Sequence, residues 1–575
     1  MKITVADLVM KYLEAEGVEY IFGVPGRNVL PLGLACLASK NIKPILAKNE
    51  HGASFMADGY ARVKKTLGVC YSTSGPGANN MLSGIANAYA DHIPVLALTG
   101  QVETTAYGKG TFQDSSQEGV DSVALFNPIT KHSSMIVSKY KAEDEIRQAL
   151  RSALTGTQGP VHLSIPKDIA VQEIEADDRP PVSYQRTGEF FDRRLVIEAA
   201  EQLVNAKNPV ILVGAGVVAS GACGDVQDLA EMLQVPVATS PKAKGAFPET
   251  HPLALGVLGF CGSPLAEHYV KSGEIDVLFV VGASLDQLTT TSWDPKLAPT
   301  KCLIQLNIDP TEIGKNYRVD IPLVGDAKTV INEVSFRVLR HLTEREGDIE
   351  LREKKVAELR DRIGKRIEPE KMTSESVPVK PQRLIREMQE GLPDDTIFFV
   401  DTGNHLCWAL HYLEFAKPGC FIAGLGMATM GYAAAAAIGG KLAAPDRPVV
   451  ALVGDGCFMM NGMEVAAAAD QDIPVIWIIQ NNAKLGLIES MQKFAPPGPR
   501  VPATFKRVDF AKVAEGLGAV GYRVERPGEL KALLPKVLES KRPTVIDCII
   551  DPDEIAPVFT FVEGAKAFSE RLNFM

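Results

Sequence analysis

The chain has few cysteines for its length, and none of them form the Cys-x-x-Cys pairs that are typical of zinc and redox sites. Nine cysteines among 575 residues are an odd number, which does not suit a disulfide framework. We therefore expect reduced cysteines that line cores or a ligand site.

Long apolar runs and basic stripes are also missing. The first seven residues lack the hydrophobic stretch of a signal peptide, and no run of about 18 apolar residues suggests a membrane span. The formal net charge is −10, and no stripe of lysine and arginine stands out. We therefore expect a cytoplasmic enzyme with small-molecule substrates, without nucleic-acid or membrane partners.

The composition and the connections predict several domains. Hydrophobic residues make up 46% of the chain, and strand-like and helix-like segments alternate, as in doubly wound α/β sheets. Polar, proline-bearing connections at 177–181 and 344–381 divide the chain, and the second begins with a charged stretch that we predict to be helical. The expected domains are 1–178, 190–340 and 381–560, with a linker at 341–380 and a tail at 561–575.

The most informative segment runs from Gly454 to Asn482. Gly454, Asp455 and Gly456 follow an apolar run, 449–453, that we predict to be a buried parallel strand, and Asn482 follows a second predicted strand, 474–479. Polar side chains at the carboxyl ends of parallel strands face the usual ligand site. Glycines let the backbone approach a phosphate, and carboxylate and amide oxygens suit Mg²⁺. A lone Gly-Asp-Gly is more often a turn, but with the asparagine it predicts a site for a metal and a diphosphate.

This motif resembles the diphosphate-binding signature of thiamine diphosphate (ThDP) enzymes, and the resemblance extends over nearly all 575 residues. Within this group of enzymes, the sequence most resembles the large, catalytic subunit of acetolactate synthase. The resemblance implies three doubly wound parallel-sheet domains: a pyrimidine-binding domain, a Rossmann-like middle domain and a diphosphate-binding domain. It also implies ThDP and Mg²⁺ as cofactors. Such enzymes build each site from the first and third domains of different subunits, so a homodimer or a homotetramer is expected.

Glu50 is the acid on which the chemistry would depend. The 4′-amino group of the cofactor can remove the C2 proton of the thiazolium if a carboxylate holds the pyrimidine N1′ in its protonated or hydrogen-bonded form. We expect Glu50 to lie at the end of a strand and to supply that carboxylate, as the matching glutamate does in the family. An isolated glutamate in such a place would instead complement a helix dipole.

The resemblance assigns the remaining site positions residue by residue. Met430 matches the bulky residue that wedges between the two cofactor rings, although an isolated methionine is more often core packing. The catalytic positions are Glu50, Phe112, Gln113 and Met430. The cofactor-binding positions are Pro25, Gly26, Ser74, Asn79, Gly403, Asn404, His405, Ala428, Met430, Gly454, Asp455, Gly456, Cys457, Asn482, Leu485 and Gly486. The metal positions are Asp455, Asn482 and Lys484, and the substrate positions are Arg27, Asn28, His51, Lys167, Leu487 and Met491.

The middle domain raises the question of a flavin. A glycine turn, 214–216, follows a predicted strand, and later segments follow the flavin-contacting segments of acetolactate synthases and pyruvate oxidases in order. The chain lacks the arginine that acetolactate synthases usually carry in the run matching 156–160, and it has Ser284 where they have arginine or a similar residue. Bound FAD, an ADP-like group and an empty site stay open.

The expected reaction is decarboxylating carboligation of a 2-oxo acid, with pyruvate as donor, through the ylide and enamine of ThDP. The acceptor would be a second 2-oxo acid or an aldehyde. The family's glutamine is His51 here, and the loop 486–492 lacks the arginine and tryptophan that hold a second 2-oxo acid. The alternatives are a 2-oxo acid decarboxylase, a hydroxyketone lyase resembling benzaldehyde lyase, a pyruvate oxidase, and a non-catalytic protein of the ThDP fold.

Overall fold

The structure, a computed structural model, describes residues 2–175, 190–342, 350–494 and 498–558. The predicted connection at 177–181 and the predicted tail at 561–575 lie outside these residues. Three six-stranded parallel sheets, each flanked by helices, follow one another along the chain, which confirms the predicted fold class.

The first sheet belongs to the N-terminal domain and has the order β3-β2-β4-β5-β7-β6. A short antiparallel pair, β1 and β8, lies beside it. The strands are β1 (Lys2–Thr4), β2 (Tyr20–Val24), β3 (Lys43–Leu46), β4 (Gly68–Ser72), β5 (Val95–Gln101), β6 (His132–Met135), β7 (Val161–Pro166) and β8 (Glu173–Glu175). The helices are α1 (Val5–Ala15), α2 (Leu30–Ala38), α3 (Glu50–Lys64), α4 (Pro76–Ala90), α5 (Ser122–Phe126), α6 (Ala142–Leu154) and α7 (Lys167–Ala170).

The second sheet belongs to the middle domain and has the order β11-β10-β9-β12-β13-β14, which is the Rossmann arrangement. The strands are β9 (Pro209–Val213), β10 (Val237–Thr239), β11 (Ala254–Val257), β12 (Val277–Val281), β13 (Cys302–Asn307) and β14 (Ile321–Val324). The helices are α8 (Arg193–Asn205), α9 (Ala215–Ser220), α10 (Cys223–Leu233), α11 (Pro264–Val270), α12 (Gln287–Thr290), α13 (Ala327–Leu342) and α14 (Glu350–Ile363).

The third sheet belongs to the C-terminal domain and has the order β16-β15-β17-β18-β20-β19. The strands are β15 (Ile397–Val400), β16 (Phe421–Ile422), β17 (Val449–Gly454), β18 (Ile476–Asn481), β19 (Val520–Val524) and β20 (Thr544–Ile549). The helices are α15 (Pro381–Gly391), α16 (Asn404–Tyr412), α17 (Tyr432–Ala443), α18 (Asp455–Asn461), α19 (Val465–Ala469), α20 (Gly486–Phe494), α21 (Phe510–Gly516) and α22 (Glu529–Ser540). When the strands are counted along the chain within each six-stranded sheet, the first and third sheets have the same strand order.

Continuous apolar runs become the central strands because both faces of each sheet are covered. Every residue of β4, β5, β7, β17 and β18 is buried. Parallel sheets with helices on both faces favour such runs over alternating patterns. Strand β18 begins two residues later than predicted, so Asn482 follows it directly.

Helices α3 and α17 join the first and third domains within one chain. A Cβ at Gly59 would lie 2.1 Å from the main-chain oxygen of Ala436, and a Cβ at Gly439 would lie 1.9 Å from that of Met56. Only glycine permits this approach. The alanine run at 433–437 is fully buried in the core that both domains share.

The charged stretch of the predicted linker is helical, as expected, and docks on the middle domain. Arg352 in α14 donates to the main-chain oxygens of Leu233 and Ala206, at 2.9 and 2.7 Å. Arg360 donates to the main-chain oxygen of Pro252 at 2.7 Å. Helix α14 therefore extends the middle domain through its cationic side chains.

Two further features bear on the expectations from sequence. All nine cysteines are free, and eight of them are buried. Among the described helices, none combines the length and the apolar character needed to cross a membrane.

Candidate cofactor site

The candidate site is a cavity of about 150 Å³ at the carboxyl edge of the third sheet. It lies where β15, β17 and β18 end, and the order of the sheet reverses between β15 and β17. Open α/β sheets bind ligands at such a switch point. The predicted residues that line the cavity are Gly403, Asn404, His405, Met430, Gly454, Asp455, Gly456, Cys457, Asn482, Lys484, Leu485, Gly486 and Leu487.

Asp455 is the buried acid of the cavity. It follows β17 directly and is 2% exposed. Its Oδ2 accepts from the main-chain N–H groups of Asn482 and Ala483, at 3.0 and 2.6 Å, and its Oδ1 accepts from that of Gly456 at 2.8 Å. Burial nevertheless raises the pKa of the Asp455 carboxyl to about 6, against the lowering effect of these donors. A carboxylate in such a place favours a bound cation.

Asn482 and Lys484 complete the predicted metal positions. The Oδ1 of Asn482 accepts from the main-chain N–H of Lys484 at 3.1 Å. The Lys484 ammonium points elsewhere, to the main-chain oxygen of Pro552 at 3.1 Å and to Asp553 at 3.2 Å. Since an ammonium cannot ligate a cation, only the main-chain oxygen of Lys484 is suited to a metal.

Asp401 fixes the loop that carries Met430. It is 1% exposed, and it accepts from the main-chain N–H groups of Thr402, Gly431 and Ala433, at 2.8, 2.9 and 3.0 Å. Burial raises its pKa to about 6. These bonds hold the residue next to Met430 and the start of α17 in one arrangement, so Met430 is presented to the cavity by a rigid support.

His405, Cys457 and Asp401 form a buried cluster beside the cavity, with one ligand-type atom of each within 4.8 Å of the others. Burial lowers the pKa of His405 to about 3, so the ring is neutral at physiological pH. The Cys457 thiol donates to the main-chain oxygen of Thr402 at 3.0 Å. The oxygens of Asp401 already accept hydrogen bonds from backbone donors. The cluster therefore has a structural role and connects the chain after β15 to the chain after β17.

Glu50 lies in the first domain and begins helix α3, rather than ending a strand as predicted. Its Oε2 accepts from the side-chain amide of Asn80 at 3.0 Å, and a Cβ at Gly77 would lie 3.0 Å from its Oε1. The strand β3 ends four residues earlier, and Asn49 caps the helix. Glu50 is therefore half-buried against the loop that opens α4.

Glu464 supports the segment that carries Glu50, and sequence reasoning missed it. It lies in the third domain, is 1% exposed, and accepts from the main-chain N–H groups of Asn49 and Lys48, at 2.8 and 2.9 Å. Burial raises the pKa of the Glu464 carboxyl to about 7. The signal for it is weak, since one glutamate in an apolar segment does not reveal which loop it reaches.

The other predicted residues of the first domain surround the ends of β2 and β4. The buried side chain of Asn28 donates to Ser74 Oγ at 2.6 Å, whereas Arg27 and Asn79 are exposed. A Cβ at Gly26, which follows Pro25, would lie 2.5 Å from the Cβ of Thr73. These residues form one loop cluster that does not line the cavity.

The predicted substrate-side residues of the first domain differ in exposure and in their contacts. Phe112 is 71% exposed, and Gln113 has a left-handed backbone with its Oε1 3.4 Å from Thr73 Oγ1. Lys167 pairs with Glu103 at 2.5 Å. The His51 ring packs on Phe55, and burial lowers its pKa.

Two predicted residues of the third domain lie outside the cavity lining, and four lining residues were not predicted. Ala428 is exposed with a φ of 57°, and Met491 is 47% exposed. The unpredicted lining residues are Thr402, Gln480, Ile488 and Ile550. Gln480 could have been found, because it is a polar residue on a buried apolar strand and shares the face of Asn482.

Comparison with known protein families accounts for all three domains. The models of the thiamine pyrophosphate enzyme N-terminal TPP binding domain, central domain and C-terminal TPP binding domain match residues 3–124, 196–334 and 401–548. The chain belongs to the thiamine pyrophosphate enzyme family. Thiamine pyrophosphate is the same compound as ThDP, so the sequence-based resemblance is confirmed, and the chain is a ThDP-dependent enzyme.

Several relatives are similar over nearly their whole length. A probable acetolactate synthase large subunit of Methanocaldococcus jannaschii is 38% identical over 96% of this chain and 93% of its own. An acetolactate synthase of Mycobacterium bovis is 34% identical over 99% and 91%. The acetolactate synthase isozyme 3 large subunit of Escherichia coli is 33% identical over 96% and 95%. The similarity thus extends over nearly the whole of this chain and of these relatives.

Proposed function

We propose that the chain is a Mg²⁺- and ThDP-dependent carboligase that decarboxylates pyruvate and joins the remaining two-carbon unit to a second carbonyl compound, as an acetolactate synthase does. The observation that carries the proposal is the cavity at the switch point of the third sheet, where Asp455 and Asn482 place hard oxygens beside glycine-rich loops. That cavity lies within the region matched by the C-terminal TPP binding domain. The relatives named acetolactate synthase supply the reaction class.

The residues present fit a metal–diphosphate group. Helices α16 and α20 both begin at the cavity, and helix N-termini favour anions. A Cβ at Gly486 would lie 2.7 Å from the side-chain amide of Asn404, so glycine leaves room for the ligand and the amide together. The buried Oδ1 of Asn404 has no hydrogen-bond partner in the described part of the chain. Buried polar atoms are rarely left unpaired, so this atom is suited to bonding with a ligand.

Each residue then has a defined task. Asp455, Asn482 and the main-chain oxygen of Lys484 would hold Mg²⁺, and Met430 would hold the two cofactor rings in a bent arrangement. Glu50 would hold a proton at the pyrimidine N1′. When bound, ThDP supplies the electron sink for decarboxylation and for carbon–carbon bond formation.

A second copy of the chain would complete the site. The described residues that line the cavity all come from the third domain, whereas Glu50 belongs to the first. Met459, Met460 and Met463 are 62, 55 and 58% exposed on the segment that follows Asp455. Large apolar side chains that are exposed in this way are suited to burial by a partner subunit. We therefore include a homodimer, or a dimer of dimers, in the proposal.

An aldehyde acceptor is the second candidate. The segment 486–492, which was expected to be a loop, lies in helix α20. It carries Leu487 at the cavity and exposed Met491, and it has no arginine. A guanidinium is the usual partner of a substrate carboxylate. Without one, a decarboxylase or a hydroxyketone lyase acting on uncharged carbonyl compounds would fit the same cavity.

The test is product analysis with purified protein, pyruvate, Mg²⁺ and ThDP. Acetolactate supports the carboligase, whereas acetaldehyde alone, or unconsumed pyruvate, contradicts it and favours the second candidate. The visible spectrum of the protein as purified settles the flavin question, since bound FAD is yellow.

Glu50→Gln is the matching variant. It retains the shape of the side chain but cannot exchange a proton, so turnover should fall by about 100-fold or more, while ThDP binding measured by calorimetry changes little. Glu201→Gln, at an exposed glutamate of α8, is the control and should retain full activity. Unchanged turnover of the Glu50 variant would contradict its role.

A further inference from the structure

Gln480 is a buried side chain whose two polar ends are both unpaired. It is 3% exposed, and within the described part of the chain neither its Nε2 nor its Oε1 has a hydrogen-bond partner. It lies in β18 opposite Gly454 of β17 and Cys548 of β20, so it is central in the sheet. Its side chain lines the cavity.

The surroundings of Gln480 favour an apolar residue. Side chains alternate along a strand, so Gln480 shares its face with Ile478, which is fully buried in the apolar core, and with Asn482, which lines the cavity. A buried amide without partners destabilises a fold, because each unsatisfied group has lost its hydrogen bonds to water without replacing them. A leucine at this place would avoid that penalty, so the amide is explained by a ligand rather than by the fold.

The ligand must offer both hydrogen-bond acceptors and donors. An amide has two N–H donors on Nε2 and an acceptor on Oε1, and neither end has a partner among the described residues. Diphosphate oxygens accept hydrogen bonds, and water bound to Mg²⁺ donates them. Mg²⁺ commonly retains several waters beside a diphosphate. An apolar ligand would leave Gln480 as unsatisfied as before.

We propose that Gln480 is a further binding residue of the site and that its side-chain amide hydrogen-bonds to the bound diphosphate–magnesium unit. The proposal rests on the proposed function, because it takes ThDP as the ligand. Gln480 would thus contact the ligand together with Asp455, Asn482 and the glycine-rich loops that line the cavity. ThDP binding would then depend on a residue within a central strand, next to its carboxyl end.

The experiment compares Gln480→Leu with the wild type by calorimetric titration with ThDP and Mg²⁺, and separately with inorganic pyrophosphate and Mg²⁺. Losing a hydrogen bond to a charged group should weaken binding of both probes by about ten-fold or more. The variant without ligand should resist urea as well as the wild type or better, because an unpaired amide has been removed. Gln480→Met, with an unbranched side chain of similar length, repeats the test if the leucine variant folds poorly.

Gln382→Leu is the matched control. Gln382 is a fully buried glutamine on α15 whose Nε2 donates to Glu554 at 3.0 Å, away from the cavity lining. That variant should lose stability and bind both probes as the wild type does. Equal affinity of the Gln480 variants and the wild type would overturn the proposal, as would a loss of ligand-free stability like that of the control.

The outcomes for Gln480 and for the proposed reaction are separable. Pyrophosphate binding requires neither thiamine nor pyruvate, so a ten-fold loss in the variant supports Gln480 even if the wild type forms no acetolactate. A wild type that binds neither ThDP nor pyrophosphate in the presence of Mg²⁺ would overturn both proposals.

Discussion

Glu464 links the third domain to the residue next to Glu50, and its buried carboxyl makes stability depend on pH. Its pKa rises from 4.5 to about 7 on folding, because burial disfavours the charged form. Below pH 4.5 the folded and unfolded states both hold the proton. Between pH 4.5 and 7 the folded state binds more protons, so the free energy of unfolding falls as pH rises, and above pH 7 the effect is constant.

The variant Glu464→Gln should lack this contribution. Urea unfolding of both proteins between pH 4.5 and 8 isolates it, since all other groups are shared. The stability of the wild type relative to the variant should fall by about 3 kcal/mol over that range. Parallel pH profiles would show that Glu464 does not titrate there.

At the residue scale, residues with an expected chemical role could be predicted from the sequence, whereas residues that support them through packing could not. Asp455 and Asn482 could be predicted because their residue types and spacing follow two strands. Glu464 could not, because its partners are main-chain groups some 415 residues away in sequence. Glu50 was predicted from the residues that flank it, but its predicted place at the end of a strand was wrong, because Asn49 caps α3 and Glu50 begins that helix.

At the scale of elements, the contact between α3 and α17 leads to a sharp prediction. The variant Gly439→Ala would bring a methyl group 1.9 Å from the main-chain oxygen of Met56, and neither helix can yield without losing core contacts. Overpacking of this kind should lower the free energy of unfolding by about 3 kcal/mol, measured by urea denaturation.

Gly33→Ala is the control for that variant. Gly33 lies inside α2, and a Cβ there would meet nothing within 4 Å. Alanine is the better helix former, so this variant should gain about 0.5–1 kcal/mol of stability. Equal effects at the two positions would contradict the close contact of α3 with α17.

Strands and helices with strong patterns were easier to predict than the contacts that those elements make with the rest of the protein. The central strands follow from runs such as 449–453 because burial on both faces demands them. The charged helix α14 was predicted to be helical, but its docking could not be, because Arg352 and Arg360 reach main-chain oxygens that carry no sequence signal.

At the scale of the whole molecule, a site shared between two chains predicts complementation. Glu50→Gln and Asp455→Asn should each be inactive alone. In co-expressed chains, a mixed dimer pairs the intact Glu50 of one chain with the intact Asp455 of the other, so about a quarter of the sites should recover activity. Activity that stays absent in the mixture would place both residues in one chain's site.

The fold was predictable at this scale because alternating strands and helices leave few arrangements. The middle sheet has the Rossmann order, as the resemblance to ThDP enzymes implied. The packing of the domains was not predictable from periodicity. A contact such as Gly59 against Ala436 depends on two helices from distant segments.

The glycine contact between α3 and α17 is also symmetric. The two helices occupy the same place in the chain order, each between the second and third strands of its six-stranded sheet. Gly59 meets the residue three positions before Gly439, and Gly439 meets the residue three positions before Gly59. Such reciprocity is that of a two-fold symmetric, self-complementary interface. The first and third domains thus meet across an approximate two-fold axis, as the subunits of a symmetric dimer do, although they belong to one chain.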